Sequence, residues 1–527
     1  MIERADEVER KYEAELAATL PDVAGVAGVV CVGEALVHEL EAVYFDTAAL
    51  DLARRGVTLR RRTGGGDDGW HLKLPGDGDS RTEVRAPLGR AVRTVPRSLR
   101  EVVRAAARDR ALAPVAVIRT HRREVSLLDE RGVVLAHVCD DDVRAERLVE
   151  PAATVRWREW EVELAGTGTW SAGAGTGPSG GTDGGADGTA LLEEVEARLI
   201  RAGAHRASVT SKLARTLDGV AMPERPGQGG ASPAGARVAD VLADHLAQQL
   251  DRLILEDARL RLGEADAVHH LRIAARRIRS ALTTYAPVAP DGVDDLRAEL
   301  RWLGQALSGA RDAQVLRSHL AEVLAGEPED LVLGPVRERI DAELDATARE
   351  GAEHTAQALD SDRYRRLLDA LEELISALPG AGDGRRATTV VPRLLRRDAR
   401  RLRRAVRAVA RAEDQPEHDL ALHEARKKAK RLRYAAESGV PVFGDRAEAL
   451  ASAVKEVQDA LGRHHDTVVA REALGRISEQ AHLAGESTFT FGRLHALEQG
   501  RAAQAERDFE EAWPAVRVTG LRRWIAG

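Results

Sequence analysis

The first residues that could do chemistry are Glu7, Glu9 and Lys11, which lie in the run Glu7-Val8-Glu9-Arg10-Lys11. On a β-strand, alternate side chains point to the same side, so both carboxylates and the ammonium would share one face. Carboxylate oxygens suit Mg²⁺, and an ammonium group suits phosphate. The spacing therefore indicates a site where a divalent cation meets an anionic substrate, although five residues alone also fit a solvated charged strand.

Further rows of alternating charges follow before residue 215. They are Arg60 with Arg62; Lys73; Arg81, Glu83 and Arg85; Arg119, His121 and Arg123; and Glu159, Glu161 and Glu163. A solvated face usually mixes signs along each strand, whereas several of these rows are mostly acidic or mostly basic. Alternation gives no direction, so the rows either face water or line the inside of a barrel. The segregation of acidic and basic rows favours a binding site over a solvated surface.

Short alternating segments, joined by glycine-rich turns, predict the strands that position these rows. The segments cover residues 39–46, 57–62, 70–74, 81–85, 117–127, 133–140 and 155–164. Helical patterns cover residues 95–110 and 191–217. The first half of the chain is therefore predicted to be α+β, with a many-stranded antiparallel sheet that can close into a barrel.

Residues 1–218 resemble a CYTH domain, which has the triphosphate tunnel metalloenzyme fold. The resemblance rests on Glu7-x-Glu9-x-Lys11, followed in order by Tyr44-Phe45-Asp46-Thr47, Leu59-Arg60-Arg61-Arg62, Lys73, Arg81-Thr82-Glu83, Asp140-Asp141, Glu159-Trp160-Glu161-Val162-Glu163 and Ser211-Lys212. It implies a closed antiparallel barrel of about eight strands with flanking helices. Inside such a tunnel, basic residues hold a triphosphate and glutamates hold Mg²⁺ or Mn²⁺.

The resemblance also implies a role for each matching residue. The implied catalytic residues are Glu7, Glu9 and Lys11. The implied metal ligands are Glu7, Glu9, Glu159, Glu161 and Glu163, with Asp140 as a further partner. The implied phosphate-binding residues are Lys11, Arg60, Arg62, Lys73, Arg81, Arg119 and Lys212. His121 stands where relatives carry a second basic residue, and Arg122 or Arg123 could take its place.

The second half of the chain reads as one amphipathic helix after another from residue 237 onward. Two of its segments repeat: the run that begins at His269 matches the run that begins at His423, 154 positions later. The same separation relates Asp312 to Asp466. Two matches at one separation indicate duplicated helical bundles.

Each repeated segment carries a basic helix face. His269, Arg272, Arg276 and Arg279 are spaced by three and four residues, as are His423, Arg426, Lys430 and Arg433. Like charges stacked in this way repel one another unless an anion offsets them. A third basic segment, residues 393–411, carries nine arginines. It is either a charged surface paired with local acids or a further anion-binding face.

Residues 237–527 resemble a CHAD domain, the conserved-histidine α-helical domain. The resemblance rests on the two His-x-x-Arg helices and on Leu461-Gly-x-His464-His465-Asp466; the first copy reads Leu307-Ser-Gly-Ala-Arg-Asp312 and lacks the histidines. It implies a pair of four-helix bundles whose basic central surface binds inorganic polyphosphate. The implied ligands are His269, Arg272, Arg276, Arg279, His423, Arg426, Lys430, Arg433 and His464. Adjacent His464 and His465 could instead bind a metal.

Composition and motifs limit where the protein acts. The chain has 527 residues, of which 43% are apolar and 31% charged, so it can form two or more globular domains. We expect domains at 1–218 and 237–527 with a linker at 219–236, and a low-complexity tether at 166–189. Cys31 and Cys139 fit no disulfide framework, and the N-terminus is no secretory signal. A cytoplasmic location is expected, with polyphosphate granules as one place of association and no membrane partner.

The function that these features favour is metal-dependent hydrolysis of inorganic triphosphate or short polyphosphate in the tunnel, with polyphosphate binding by the helical domain. One alternative is a non-catalytic protein that binds or localises polyphosphate. Another is a hydrolase or cyclase that acts on an organic triphosphate. Nucleic acid is not expected as a partner, because aromatic residues make up only 3% of the chain and no base-reading motif occurs.

Overall fold

The computed structural model describes residues 2–89, 92–166, 171–172, 184–220, 235–290, 292–381 and 384–518. The chain divides into two compact units: residues 1–223 with 258–264, and residues 224–257 with 265–527. Most of the expected tether and of the expected linker, at 167–170, 173–183 and 221–234, lies outside the described residues.

A closed antiparallel β-barrel forms the centre of the first unit, as predicted. The strands are β1 (Glu3–Ala14), β2 (Cys31–Val32), β3 (Leu36–Asp46), β4 (Thr58–Thr63), β5 (Gly69–Pro75), β6 (Ser80–Ala86), β7 (Ala113–Leu128), β8 (Val134–Arg147), β9 (Ala153–Leu164), β10 (Ser171–Ala172) and β11 (His205–Arg206). Eight of them pair in the order β1-β6-β5-β4-β3-β7-β8-β9, and β9 pairs with β1 to close the barrel. Strand β8 continues beyond its predicted end at residue 140, and the other predicted segments match β3 to β7 and β9.

Helices flank the barrel and fill one of its ends. They are α1 (Arg97–Val102), α2 (Arg104–Ala107), α3 (Gly184–Arg201) and α4 (Lys212–Thr216). An apolar cluster packs α3 against the outer face of β8 and β9, where Trp160 is fully buried. A second cluster packs Leu213 and Leu217 against Tyr44 and Ile118, whose side chains point into the barrel. These apolar contacts close that end of the interior.

The single helix predicted over residues 191–217 is wrong. Helix α3 ends at Arg201, and Gly203 follows with a φ of +95°, a conformation that glycine adopts readily and that ends helices. The chain then adds β11 to the edge of β1 before Ser211 caps α4 by accepting a hydrogen bond from the Ala214 N–H at 3.1 Å. This turn places Lys212 at the barrel instead of on α3.

From residue 237 onward the described chain is helical, as predicted. The helices are α5 (Val238–Arg261), α6 (Ala267–Thr284), α7 (Val293–Ala306), α8 (Gly309–Ala325), α9 (Val336–Asp360), α10 (Asp362–Ala381), α11 (Ala387–Val409), α12 (Gln415–Phe443), α13 (Asp445–Leu483) and α14 (Phe489–Val518). When 154 is added to the residue numbers, α6 falls within α12, and α7 and α8 together fall within the single helix α13. No helix among the described residues is both long and apolar enough to cross a membrane.

The starts of α5 and α11 are paired by an antiparallel bridge between Arg237 and Arg386. The Val238 N–H donates to the Arg385 carbonyl at 3.0 Å, and the Ala387 N–H donates to the Ala236 carbonyl at 2.9 Å. The bridged residues are 149 positions apart, and α5 precedes α6 as α11 precedes the repeated helix α12, so α5 and α11 occupy equivalent places in the two copies. The same shift superimposes buried core positions: Leu242, Leu246, Leu250 and Leu253 of α5 on Val391, Leu395, Ala399 and Leu402 of α11.

Candidate functional site

A cavity of about 300 Å³ lies inside the barrel. Its acidic lining residues are Glu7, Glu9, Asp67, Glu83, Glu124, Glu161 and Glu163. Its basic lining residues are Lys11, Arg60, Arg62, Lys73, Arg81, Arg85, Arg122 and Lys212. The inward faces of β1, β4, β5, β6 and β9 therefore bring most of the sequence-predicted site residues together in one enclosed space.

Strand β1 presents Glu7, Glu9 and Lys11 to this cavity, because alternate residues share a face. The Lys11 Nζ lies 2.8 Å from Glu9 Oε2, and the Lys73 Nζ lies 2.5 Å from Glu7 Oε2. Arg81 on β6 places its Nε 3.2 Å from Glu9 Oε1. Each carboxylate of the β1 motif is thus paired with at least one cation inside the barrel.

A buried acidic triad lies beside this motif. Oxygens of Asp141, Glu159 and Glu161 all lie within 4.8 Å of one another, a separation that one metal ion could bridge. The Lys212 Nζ lies 2.8 Å from Asp141 Oδ2, 2.8 Å from Glu161 Oε1 and 2.6 Å from Glu159 Oε1. Glu159 Oε1 is buried and, beside the Lys212 ammonium, has no hydrogen-bond partner among the described residues.

In the helical chain, α6 and α12 carry the two repeated basic faces. Arg272 of α6 donates to Asp312 at 2.6 Å, and Arg426 of α12 lies 3.9 Å from Asp466, the equivalent residue of the second copy. The two arginines are half-buried, whereas the two aspartates are exposed. Burial, together with the charges of Arg426 and Arg276, lowers the pKa of Lys430 to about 7. The two motifs therefore form one dense basic surface.

The remaining predicted polyphosphate ligands have different surroundings. His464 is 2% exposed, and its Nε2 lies 3.1 Å from Glu506 Oε1, so it is buried away from the basic surface. Its neighbour His465 instead meets His423, with 3.2 Å between their Nδ1 atoms. Arg433 donates to Glu437 at 2.8 Å, so its charge is partly offset. The structure thus favours His465 over His464 as a member of the surface.

Comparison with known proteins agrees with both halves of this arrangement. Residues 5–168 match the family described as the CYTH domain, and residues 244–475 match the family described as the CHAD domain. The chain belongs to the CYTH and CHAD families. Uncharacterized protein Rv2226 and Uncharacterized protein MT2285, from two strains of Mycobacterium tuberculosis, are each 39% identical over 523 residues, which is 96% of this chain and 95% of the relative.

Solved structures that are similar to parts of the chain have TM-scores below 0.5. PptA from Streptomyces chartreusis is 24% identical, with a TM-score of 0.45, and the match covers 53% of this chain and 100% of that one. The CHAD domain from Ricinus communis is 26% identical, with a TM-score of 0.45, over 56% of this chain and 96% of that one. HpAC1 from Hippeastrum, for which a dominant triphosphatase activity is stated, is 14% identical with a TM-score of 0.23, over 41% of this chain and 98% of that one.

Arg119 does not lie in the CYTH cavity. It is on the outer face of β7, where its side chain is 58% exposed and its Nε donates to Glu41 at 2.8 Å. His121 lies on the same outer face, 2.6 Å from Glu39. The basic row that indicated a site therefore pairs with an acidic row on the neighbouring strand β3.

Arg122 is the β7 cation that reaches the interior. Its Nε and Nη2 donate to the two oxygens of Asp141 at 2.8 and 2.7 Å, and Nη2 also contacts Glu161. Asp140 faces outward instead, where it accepts hydrogen bonds from Arg158 and from the Trp160 indole at 2.9 Å. Asp141 therefore takes the place in the acidic site that was expected for Asp140.

Glu83 and His71 are site residues that the sequence predictions did not include. His71 is 1% exposed; its Nδ1 lies 2.8 Å from Glu83 Oε1, and its Nε2 lies 2.9 Å from the Asp67 carbonyl oxygen. Glu83 in turn contacts Arg85 and lies 3.9 Å from Lys73. The alternation of Arg81, Glu83 and Arg85 was the available signal for Glu83. Only the structure shows that His71 joins it to the loop before β5.

The CYTH cavity strongly perturbs its carboxyl groups. Burial raises the pKa of Glu7 to about 7, against the opposing charge of Lys73 and with further increases from Glu83 and Glu163. For Glu9, burial also acts to raise the pKa, but Lys11 and Lys73 lower it to about 2. Lys11, Lys212 and Arg122 similarly overcome burial and lower the pKa of Glu161. Neighbouring glutamates therefore hold protons very differently before any ligand binds.

Proposed function

We propose that the CYTH domain, taken as residues 1–218, hydrolyses inorganic triphosphate or the ends of short polyphosphate chains with the help of Mg²⁺ or Mn²⁺. The observation that carries this proposal is one cavity lined by eight basic side chains, with a buried acidic triad in its wall that contributes Glu161 to the lining. A protein that only binds polyanions gains nothing from such carboxylates, since they repel the ligand.

The cations of the cavity supply the substrate site. Lys11, Arg60, Arg62, Lys73, Arg81, Arg122 and Lys212 would hold the phosphate oxygens. Because these groups are fixed before the substrate arrives, they stabilise the charge that develops on the transferred phosphoryl group without reorganisation. Hydrolysis breaks one phosphoanhydride P–O bond and forms a new P–O bond to water, so positioning and charge neutralisation are the main requirements.

Asp141, Glu159 and Glu161 fit a divalent cation, since each offers an oxygen within 4.8 Å of the others and buried Glu159 Oε1 has no hydrogen-bond partner among the described residues. A bound Mg²⁺ or Mn²⁺ would neutralise phosphate charge and lower the pKa of a coordinated water. Glu7, Glu9 and Glu163 line the same cavity and are proposed as further ligands. Lys212 and Arg122 would exchange their carboxylate partners for phosphate oxygens when the site is loaded.

We propose that the CHAD domain, taken as residues 237–527, binds inorganic polyphosphate on the surface formed by α6 and α12. The predicted ligands His269, Arg272, Arg276, Arg279, His423, Arg426, Lys430 and Arg433 lie on these two helices. Burial and the repulsion from Arg426 and Arg276 lower the pKa of Lys430, and a linear polyanion would offset that repulsion.

Phosphate release from inorganic triphosphate, with and without Mg²⁺ or Mn²⁺, tests the enzymatic proposal. We expect metal-dependent turnover that Glu159→Gln abolishes. Glu39→Gln is the matched control, because Glu39 is 78% exposed on the outer face of the barrel. Turnover of ATP or thiamine triphosphate in place of inorganic triphosphate would assign an organic substrate. No turnover of any of them, with polyphosphate binding retained, would leave a non-catalytic binding protein.

A further inference from the structure

We propose that the arginine face of α11 binds the distal part of long polyphosphate chains, as a continuation of the basic surface of α6 and α12. The inference rests on the proposed polyphosphate binding of the CHAD domain and adds a second subsite to it. The arginine face comprises Arg393, Arg396, Arg397, Arg400, Arg401, Arg403, Arg404, Arg407 and, just beyond the helix, Arg411.

The charge on this face is largely unpaired. At 3.6 residues per turn, the nine arginines fall within an arc of about 160° around the helix axis. Arg397 and Arg401 have a carboxylate within 4.0 Å, and both share Asp398. For the other seven, no carboxylate of the described residues lies within that distance. The interpretation of this helix as a charged surface paired with local acids is therefore wrong for most of its length.

The equivalent helix α5 shows that the fold does not require these arginines. At the 149-position shift that relates the two helix starts, Arg393 corresponds to Asp244 and Arg400 to Asp251. Of the seven arginine positions from 393 to 404, α5 has a basic residue at only one, Arg252. Both helices nevertheless bury the same core positions. The arginines of α11 thus serve something other than packing.

The arginine face continues directly from the proposed binding surface. Arg397 donates to the carbonyl of Thr284, the last residue of α6, at 2.5 Å, five residues beyond Arg279 on the same helix. On the α12 side, burial lowers the pKa of Arg431, and the charges of Arg401 and Arg397 lower it further. A chain that passes Arg279 towards the end of α6 therefore comes near Arg397 of α11.

A phosphate chain fits this face better than other polyanions do. At 1.5 Å per residue the face is about 27 Å long, which several consecutive phosphates can follow. Residues 393–411 contain no aromatic side chain on which a base could stack. They also present no exposed large apolar side chain that could enter a membrane. Contact with phosphate alone is the chemistry that remains.

Binding of short and long polyphosphate to the full-length protein, at several salt concentrations, tests the proposal. A chain of about 10 phosphates should occupy one subsite at a time, whereas a chain of about 100 phosphates should reach both. The test variant replaces the exposed residues Arg400, Arg403, Arg404 and Arg407 by glutamine, which keeps helix propensity. The control variant replaces Arg337, Arg349, Arg446 and Arg476, which are exposed arginines outside α11, and so removes the same charge.

We expect the test variant to bind the long chain about tenfold more weakly, because the second subsite no longer adds avidity. The salt slope of long-chain binding should fall by about 3, close to the value for four lost phosphate contacts. Short-chain binding and the control variant should keep their wild-type values.

Three results would overturn the proposal: unchanged long-chain binding by the test variant, an equal loss in the control variant, or an equal loss for both chain lengths. Tighter binding of duplex DNA or of phosphatidylserine vesicles, lost in the test variant, would also overturn it by assigning the face to another partner. If the wild-type protein binds neither chain length, the proposed function of the CHAD domain itself fails.

Discussion

Replacement of Arg122 and Arg119, three positions apart on β7, compares an inward with an outward cation on one strand. Arg122 is 13% exposed and forms a bidentate pair with Asp141, whereas Arg119 is 58% exposed and pairs with Glu41. A hydrogen bond to a charged group contributes about 1.5–3 kcal/mol when it is sheltered from water. An exposed ion pair contributes about 0–1 kcal/mol.

We therefore expect Arg122→Gln to lower kcat/KM for inorganic triphosphate by about 10- to 150-fold, since one phosphate contact of about 1.5–3 kcal/mol is lost. Arg119→Gln should change kcat/KM by less than about twofold. The kcat/KM of Arg122→Lys should lie between those of the two glutamine variants, because lysine keeps the charge but not the bidentate geometry.

Phosphate release at saturating Mg²⁺ is the assay for all three variants. Hydrogen exchange of β7 and β8 peptides, measured on the same samples, shows whether the barrel remains folded after Arg122 is replaced. Equal losses in Arg119→Gln and Arg122→Gln, with the barrel folded in both, would refute the assignment of Arg122 to the substrate site.

Three further predictions concern the metal, the basic surface and a helix crossing. Glu161→Gln should weaken Mg²⁺ binding at least about 10-fold in calorimetric titrations, because it removes one member of the acidic triad. Since the pKa of free Lys430 is about 7 and a bound polyanion raises it, polyphosphate binding should take up protons above pH 7 and weaken as pH rises. Calorimetry in two buffers of different ionisation enthalpy at pH 8 measures that uptake, which Lys430→Gln should remove. Gly351→Ala should destabilise the protein by about 1–3 kcal/mol in thermal unfolding, because the added Cβ would lie 2.2 Å from the Ala310 nitrogen. Gly304 has open space around it, so Gly304→Ala should stabilise the protein by up to about 1 kcal/mol in the same measurement.

The sequence was sufficient to predict the barrel and most of its inward faces. Once the sheet closes, Glu7, Glu9 and Lys11 must lie either all inside the barrel or all outside it, because alternate side chains of a strand share a face. The repeat at 154 positions likewise predicted a duplicated helical region. Local spacing carries the alternation and the repeat, whereas the closure of the barrel and the inward direction of the charged rows were implied by the resemblance to the CYTH domain.

The sequence could not predict which side chains of β7 and β8 point into the barrel, for two physical reasons. On β7 the basic row containing Arg119 looks like a site, but it pairs with an acidic row on β3, a contact that spacing along one strand does not reveal. On β8 the apolar positions change parity: Ala136 and Val138 pack in the outer cluster, whereas Val143 and Ala145 pack in the cluster that closes the barrel. Alternation therefore gave no means of choosing between the adjacent aspartates 140 and 141.

The exchanged hydrogen bonds at the starts of α5 and α11 also bear on the origin of the helical half. Val238 and Ala387 each donate across the bridge, so the starts of the two equivalent helices are held together in one polypeptide. A repeat that formed a homodimer would carry identical sequences in both positions, whereas here the two copies lie in one chain. Subunits of a homodimer must change together, whereas fused copies can diverge. The acidic residues on α5 and the arginines on α11 are such a divergence, which only the fused chain could acquire.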